Sequence, residues 1–330
     1  MTEPGIWTDS ITVTLNGKSR DVKGLLYFIA AFASYRCQPI SAALHFMNIC
    51  DRTETKVISM VCYLNKFLLQ FVTYGLLLFP LSAYSFCLIT YNLAEISDKS
   101  HERVQRLLLS IAHESPDAVF LQEASYSTHK QVKSLPAFND YQYLDQSQFK
   151  GSPDGGLVIL LKKPFKASNL IYTPLPSDMN RGLLSITITL GGLPHKLVNL
   201  HLESSDLLFW RVNYFRKQQI QLLSQLADSY PAVIIAGDFN LWINSEFLSP
   251  VLQDVWQQLN PNDPGLTWEP KTNSFAWNEG GFILSGGRFD RILFKSPVLT
   301  ANRIERIGIN VYPPLSDHYG LVSTWSEGVK

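Results

Sequence analysis

The chain has 330 residues, 46% of them hydrophobic and 12% aromatic, so it can bury one large core and still have residues left for a second region. Its formal net charge is zero, but residues 1–85 hold seven Lys/Arg against five Asp/Glu, which leaves the remainder mildly acidic. This balance excludes nucleic-acid binding through an overall positive field, so a nucleic-acid partner must be held by a local basic patch.

Residues 1–85 differ in kind from the rest and are predicted to form a separate apolar N-terminal region. Residues 57–85 carry almost no charge, and the stretch Phe67–Ser85 is long enough to span a bilayer as a helix. Two interpretations stay open: membrane association through residues 57–85, or a buried helical hairpin packed on the following domain. A secretory signal peptide fits poorly, because the segment starts far from Met1. The expected localisation is therefore either membrane-associated or intracellular and soluble.

All four cysteines fall in the first 87 residues without forming a Cys-x-x-Cys pair: Cys37, Cys50, Cys62 and Cys87. This spacing suggests neither a zinc cluster nor a disulfide framework. The chemistry of the region that follows therefore needs no thiol.

From Phe86 onward, strand-like and helix-like segments alternate. Short apolar runs predict strands in SFCLITYN, DAVFLQE, GGLVILLKK, LLSITITL, HKLVNLHLES, PAVIIAGDFN, RFDRILFKS and DHYGLVSTW. Helical spacing occurs at 101–114 and 207–228, and Gly191-Gly192 predicts a hairpin. This order predicts an α/β fold for residues 86–330, a four-layer sandwich of two mixed β-sheets flanked by helices, preceded by an apolar helical N-terminal region.

Polar residues end the first two of these strands, at the edge where an open α/β fold displays reactive side chains. Glu123 ends a buried strand, where an ionised carboxylate is costly unless it is paired or coordinated. Asn92 ends the preceding strand, and oxygen ligands without a Cys/His cluster suit Mg²⁺ or Mn²⁺ rather than zinc. Taken alone, Glu123 fits a capping or salt-bridging residue better than a metal ligand.

The sequence Gly237-Asp238-Phe239-Asn240 follows the apolar run AVII. Glycine lets the backbone turn, Asp238 can accept a proton from water, and Asn240 can hold the same water or a phosphate oxygen. In isolation a plain turn is the better interpretation, since Gly, Asp and Asn are common turn formers.

Asp317-His318 precedes the last predicted strand, and Asp290 lies at the edge of another strand. A carboxylate that fixes the His318 imidazole and supports its cation would let it meet negative charge developing on phosphorus. A histidine taken alone is more often structural, so the weight lies in the whole set of motifs.

In this order the motifs resemble those of the endonuclease/exonuclease/phosphatase superfamily over Phe86–Trp325. Within it they are similar to the branch of tyrosyl-DNA phosphodiesterases, and the sequences that carry this likeness are His201-Leu202-Glu203-Ser204, Ala236-Gly237-Asp238-Phe239-Asn240-Leu241, Thr267-Trp268, Arg288-Phe289-Asp290-Arg291-Ile292 and Ser316-Asp317-His318-Tyr319-Gly320-Leu321.

The resemblance implies roles for individual residues. Glu123 would bind Mg²⁺ or Mn²⁺, with Asn92 and Asp317 near the metal and the scissile phosphate. Asp238 and Asn240 would position and activate the attacking water.

The resemblance also implies that His318, paired with Asp290, stabilises the pentacovalent transition state. His201 and Ser204 match positions that contact the substrate phosphates, and Trp268 matches an aromatic residue that lines the nucleic-acid groove.

The function implied by the resemblance is Mg²⁺-dependent hydrolysis of a 5′-phosphotyrosyl bond between a protein and DNA or RNA, which makes nucleic acid carrying such an adduct the expected partner. Two departures keep alternatives open: Trp242 supplies a stacking surface where that branch has an arginine, and the apolar N-terminal region replaces a ubiquitin-binding module. Both fit a sphingomyelinase-like phosphodiesterase acting on membrane phospholipids. Another nuclease of the superfamily and a binding module without turnover are further alternatives.

A phosphate-tracking strip would need basic side chains near the site. The candidates are Arg181, Arg211, Arg216, Lys217, Arg288, Arg291, Arg303 and Arg306.

Overall fold

A computed structural model describes residues 12–15, 18–21, 85–95, 100–150, 156–204, 209–241, 249–280 and 285–328. The chain divides into two compact units, Met1–Leu81 and Ser82–Lys330. In the first unit the described residues are two antiparallel strands, β1 (Thr12–Leu15) and β2 (Lys18–Asp21).

The prediction of membrane association concerns residues 57–85, which lie outside the described residues except for Ser85. Within the described ranges, no helix combines the length and the hydrophobicity that a bilayer span requires. Membrane association therefore stays a prediction.

The described part of the second unit contains two six-stranded sheets and flanking helices. Its strands are β3 (Ser85–Asn92), β4 (Ala118–Ala124), β5 (Tyr141–Asp145), β6 (Gly156–Lys162), β7 (Ser168–Pro174), β8 (Gly182–Leu190), β9 (Leu193–His201), β10 (Val233–Asp238), β11 (Gln253–Asp254), β12 (Asp290–Lys295), β13 (Leu299–Ile307) and β14 (Gly320–Glu327). Its α-helices are α1 (His101–His113), α2 (Tyr126–Ser134), α3 (Phe209–Ser229), α4 (Val255–Leu259) and α5 (Ser274–Gly280).

Both sheets are mixed. The first has the order β13-β14-β3-β4-β6-β5 and the second the order β11-β12-β10-β9-β8-β7. Strands β3 and β4 are parallel in the first sheet, and β9 and β10 are parallel in the second, whereas the other neighbours are antiparallel. The carboxyl ends of the two parallel pairs carry the residues considered below.

Three groups of buried apolar side chains hold these layers together. Between the sheets, Leu88 and Phe120 of the first belong to one cluster with Ile186, Ile234 and Ile292 of the second. A second cluster lies between the first sheet and α1, and a third contains residues of α3 and of the second sheet. The predicted four-layer sandwich of two mixed sheets flanked by helices is confirmed.

Helix α1 shows why the sequence predicts these elements well. Val104, Leu107, Leu108 and Ile111 are all buried on one face, as their spacing predicts. Ser100 caps the helix by accepting a hydrogen bond from Arg103 N at 3.4 Å.

Strands β5, β7, β11 and β13 are absent from the elements predicted by the sequence. Two of them, β5 and β13, are the edges of the first sheet, and β7 and β11 are the edges of the second. Side chains of β7 are mostly exposed, and those of β5 are partly exposed. Edge strands bury less of their length, so their sequences lack the apolar runs that identify central strands.

Candidate active site

The site residues come from strand ends of both sheets. Asn92 ends β3 and Glu123 lies near the end of β4, while His201 and Asp238 end β9 and β10. Because each pair of strands is parallel, its polar ends lie at the same edge of the sheet. Asp290 reaches this edge at the start of the antiparallel strand β12, where it pairs with Asp238.

The side-chain amide of Asn92 connects the two sheets. Its Nδ2 donates to Glu123 Oε1 at 3.2 Å and to Asp238 Oδ2 at 3.1 Å. Its Oδ1 accepts from Ala94 N at 3.0 Å, and the side chain is only 1% exposed. Asn92 therefore fixes the orientation of one carboxylate from each sheet.

Unusual backbone conformations place the two carboxylates. Glu123 has a φ of +56° at an irregularity in the pairing of β4 with β6, and Asn240 has a φ of +50°. Gly237 has a φ of +141°, and a Cβ built on it would lie 2.1 Å from Leu200 O of the adjacent strand. Non-glycine residues persist at positive φ only where the surrounding structure imposes it, which is common at functional sites.

Asp238 and Asp290 are buried carboxylates on paired residues, and His318 lies beside both. His318 Nδ1 is 2.7 Å from Asp290 Oδ2, and its Nε2 is 3.9 Å from Asp238 Oδ2. Burial by itself would lower the pKa of His318, but Asp290, Asp317 and Asp238 together raise it well above the usual value. The imidazole is therefore a cation at neutral pH, and it offsets the repulsion between the two carboxylates.

Asp238 is held with its carboxylate ready to accept a proton. Burial raises its pKa to about 6, although His318 acts in the opposite direction. Asn240 N donates to Asp238 Oδ1 at 2.9 Å, so the backbone after the strand orients this oxygen. A carboxyl group with a pKa near 6 is ionised at neutral pH and is a stronger base than an ordinary aspartate.

His201 is neutral and connects Asp238 to an arginine. Burial, Arg181 and His318 lower the pKa of His201 well below its usual value. Arg181 Nη1 donates to His201 Nδ1 at 2.9 Å, so the ring proton lies on Nε2, which is 3.3 Å from Asp238 Oδ2. Both ring nitrogens of His201 therefore face protein groups, Arg181 on one side and Asp238 on the other.

Glu123 and Asp317 form the more open, acidic side of the site. Burial raises the pKa of Glu123, and the charge of Asp317 raises it further. Asp317 Oδ1 accepts from Ser316 Oγ at 3.2 Å. In the described ranges neither carboxylate lies within 4.0 Å of a basic side chain. Two carboxylates that repel each other, with no basic side chain in direct contact in these ranges, fit a hard divalent cation.

Asp238, Asp290 and His318 also group closely, with one potential ligand atom from each within 4.8 Å of the others. His318 Nδ1 lies 2.7 Å from Asp290 Oδ2, and Asp238 Oδ2 accepts from Asn92 Nδ2 and faces His201 Nε2, so the atoms of this cluster are already engaged by protein groups. The donor chemistry therefore fits a metal on the side of Glu123, Asn92 and Asp317 better than in this cluster.

The structure places the remaining predicted substrate-binding residues as follows. Ser204 is partly exposed beside Arg181, whose Nη2 is 3.4 Å from Ser204 Oγ. Trp268 is 7% exposed, and its ring stacks on Phe289 with the centroids 5.8 Å apart. Trp242 lies outside the described residues. The roles of these three residues in substrate binding stay predictions.

Sequence reasoning named Arg181 only as a basic residue of a possible phosphate-tracking strip, and Thr267 and Glu203 only as members of resembling motifs, without the contacts that the structure gives them. Thr267 Oγ1 accepts from Phe289 N and Asp290 N, both at 3.0 Å, which fixes the start of β12. Glu203 accepts from Asp178 N at 3.1 Å and from Ser177 Oγ, and so anchors the segment that carries Arg181. Thr267 and Glu203 lie inside resembling motifs, which could have identified them as site residues. Arg181 belongs to no motif, so no such sequence feature identifies it.

Several of the basic side chains face protein carboxylates. Arg288 and Arg291 are buried and share Asp254, at 2.7 and 3.3 Å. Arg211 lies 2.5 Å from Asp178. Buried arginines cannot track a phosphate backbone, so a local basic patch has to come from other members of the set.

Comparisons with known proteins agree with this geometry. The family model described as the endonuclease/exonuclease/phosphatase family matches residues 89–318. Tyrosyl-DNA phosphodiesterase 2 of Rattus norvegicus is 32% identical over 241 residues, covering 68% of this chain and 62% of that protein. The Mus musculus protein of the same name is 30% identical over 243 residues, covering 68% and 61%. The chain thus spans somewhat less than two thirds of the length of these relatives.

Similar solved structures include Danio rerio TDP2 complexed with a single-strand DNA product. That structure has a TM-score of 0.62 and 28% sequence identity, covering 73% of this chain and 99% of the other. The catalytic domain of human Nocturnin with a bound sulfate anion has a TM-score of 0.53 at 18% identity, covering 74% and 94%, and shows a shared fold.

Proposed function

The chain belongs to the endonuclease/exonuclease/phosphatase family, and we propose that within this family it is a Mg²⁺-dependent phosphodiesterase that hydrolyses the 5′-phosphotyrosyl bond between a protein and DNA or RNA. The observation that carries the proposal is one connected arrangement of side chains: His318 lies 2.7 Å from Asp290 and 3.9 Å from Asp238, and the amide of Asn92 binds both Asp238 and Glu123. The likeness to tyrosyl-DNA phosphodiesterase 2 and to its complex with a single-strand DNA product supports the choice of substrate.

Asp238 is the residue that would activate water. Its Oδ1 is oriented by Asn240 N, and its Oδ2 by Asn92 Nδ2, so the carboxylate cannot rotate freely. Above a pH of about 6 it is ionised and can accept a proton from a water molecule beside the phosphate. The proton leaves the water as its oxygen attacks phosphorus, and the bond to the tyrosyl oxygen breaks.

His318 would stabilise the charge that develops on the phosphoryl oxygens. The Asp290 carboxylate, 2.7 Å from Nδ1, keeps the ring protonated and fixes its orientation. A preorganised cation at this point stabilises the transition state more than the ground state, because negative charge increases during attack.

Glu123 would hold the divalent cation, with Asn92 and Asp317 close by. When bound there, Mg²⁺ would neutralise phosphate charge and favour in-line attack. The raised pKa of Glu123 beside Asp317 supports this assignment, because a cation would relieve the repulsion between the two groups.

The test is cleavage of a 5′-phosphotyrosyl single-stranded oligonucleotide by the full chain, with Mg²⁺ and with a chelator. We expect turnover that requires Mg²⁺ and falls at least about 10²-fold in Glu123→Ala and in Asp238→Ala. The exposed Glu305→Ala, which removes a surface pair with Arg303, is the control and should retain activity. Intact turnover in either site variant would overturn the mechanism.

The phospholipid alternative depends on residues 57–85 and on Trp242, nearly all of which lie outside the described residues. A parallel assay of the same chain on sphingomyelin vesicles tests it. Hydrolysis of sphingomyelin in vesicles, with no cleavage of the oligonucleotide, would replace the nucleic-acid substrate while keeping the site.

A further inference from the structure

The side chain of Glu95 is buried at the edge of the site, although no motif includes it. It is 1% exposed, and within the described ranges it makes no ion pair with a basic side chain. Its oxygens accept hydrogen bonds from Ser125 N at 2.6 Å, from Ser125 Oγ and Ser127 Oγ, each at 2.9 Å, and from Thr128 Oγ1. One carboxylate thus accepts four hydrogen bonds from the turn at residues 125–128.

This turn begins at Ser125, two residues after Glu123. The pairing of β3 with β4 ends at Asn92 and Gln122, and Leu93 N adds one more hydrogen bond to Gln122 O at 3.0 Å. Beyond that point, Glu95 connects the continuation of β3 to Ser125. Glu123 therefore lies between two residues, Gln122 and Ser125, that are both hydrogen-bonded to the segment Leu93–Glu95.

Glu123 needs such support because of its backbone. Its φ of +56° falls at an irregularity between Leu121 and Ala124 in the pairing with β6. A glutamate leaves this left-handed conformation when its surroundings no longer impose it. Such a change would rotate the side chain away from Asn92 Nδ2, the amide that now orients its Oε1.

Capping of α2 accounts for only one of the hydrogen bonds that Glu95 accepts. The helix has a complete capping box, in which the Ser125 side chain accepts from the helix backbone and the Thr128 side chain accepts from Ser125 N at 3.2 Å. Glu95 shares that Ser125 N donor at 2.6 Å, but its other three donors are hydroxyl groups, which are not backbone groups of the helix start. A buried carboxylate is therefore a costly addition to this capping box.

We propose that Glu95 is a positioning residue for the metal site, which holds the turn after β4 so that Glu123 points at the cation. The inference rests on the proposed metal-dependent function. Residues that support metal ligands typically change metal affinity by about 10- to 100-fold when they are replaced. The effect of Glu95 should therefore appear in metal binding, separately from stability.

The experiment measures Mn²⁺ binding to the full chain by electron paramagnetic resonance, together with thermal unfolding. We expect Glu95→Gln to weaken Mn²⁺ binding about 10- to 100-fold and to recover most of the wild-type kcat at saturating Mn²⁺. Asp117→Asn is the matched control, since Asp117 Oδ2 accepts from Cys87 N at 2.9 Å at the opposite end of β3 and β4. It should lower stability without changing Mn²⁺ affinity.

A Glu95→Gln protein that binds Mn²⁺ as tightly as the wild type would overturn the inference. If that variant does not fold, Ser127→Ala removes one donor to Glu95 and leaves both capping-box residues in place; it should weaken Mn²⁺ binding roughly three- to tenfold, and unchanged affinity would then overturn the inference. A wild-type chain that binds Mn²⁺ through Glu123 but cleaves no phosphotyrosyl oligonucleotide would instead overturn the proposed function and leave this comparison valid.

Discussion

Gly237 allows a strong test of how the backbone places Asp238. It has a φ of +141°, and it pairs with Leu200 across the parallel strands β9 and β10. A methyl group at Gly237 would lie 2.1 Å from Leu200 O, a contact with backbone that no side-chain rotation can relieve. The Gly237→Ala substitution therefore has to push the two strands apart or change the backbone conformation.

The cost of Gly237→Ala has two parts. The disallowed backbone conformation costs roughly 1–3 kcal/mol, and the forced overlap adds roughly 1–3 kcal/mol or more. Gly192→Ala is a matched control, because Gly192 also has a positive φ, +73°, but nothing lies within 4 Å of the added methyl. The control should lose only about 1 kcal/mol, as alanine partly compensates by restricting the unfolded chain.

Thermal unfolding distinguishes the two variants. In a unit of this size each kcal/mol lowers Tm by about 2–4 °C, so Gly192→Ala should lose a few degrees and Gly237→Ala about 10 °C or more. Activity at a temperature where both are folded should fall further in Gly237→Ala, because Asp238 is the next residue. If the two variants had the same Tm within about 2 °C, close approach to Leu200 would not be what requires glycine.

Three further predictions concern the charges of the site. The pKa of Asp238 is raised to about 6 and the base must be ionised, so kcat/KM should rise about tenfold per pH unit below pH 6 and level off above pH 7; a pH–rate profile checks this, and a rise centred near pH 4 would contradict it. In Asp290→Asn, loss of the charge beside His318 should lower the pKa of its ring, so the ring deprotonates at a lower pH than in the wild type; NMR titration of the ring protons measures this, and an unchanged titration would exclude Asp290 as the cause. Mg²⁺ at 100 times its Kd should stabilise the chain by about 2.7 kcal/mol in calorimetry, and Glu123→Gln should abolish this stabilisation, whereas an equal gain in the variant would place the ion elsewhere.

Central strands and their end residues could be predicted from the sequence. The apolar runs before Asn92 and Asp238 are buried in the structure, and the polar residues follow at the strand ends as predicted. The Gly191-Gly192 hairpin is also confirmed, because Leu190 pairs with Leu193 across it. These features depend on local patterns of hydrophobicity and turn chemistry, which a single sequence displays.

Contacts set by register and by connections could not be predicted. Asp238 lies next to His201 because β9 and β10 pair in one particular register, which apolar runs do not specify. Arg181 meets His201 across the β8–β9 hairpin, and Glu95 meets Ser125 across a pair of parallel strands. The roles of these polar residues depend on contacts with residues that are distant in sequence. The residues next to them in the chain therefore do not predict those roles.

The β8–β9 hairpin also separates the site from a convenient attachment point. His201 ends β9 at the site, whereas the turn at Gly191-Gly192 precedes Leu193 at the other end of the strand. The nine residues of the strand extend over about 26 Å at 3.3 Å per residue. A methyl group added to Gly192 would meet open space. A dye or affinity handle placed at this turn would report on the tumbling or surface immobilisation of the molecule while leaving the opposite edge of the sheet clear for a bulky substrate.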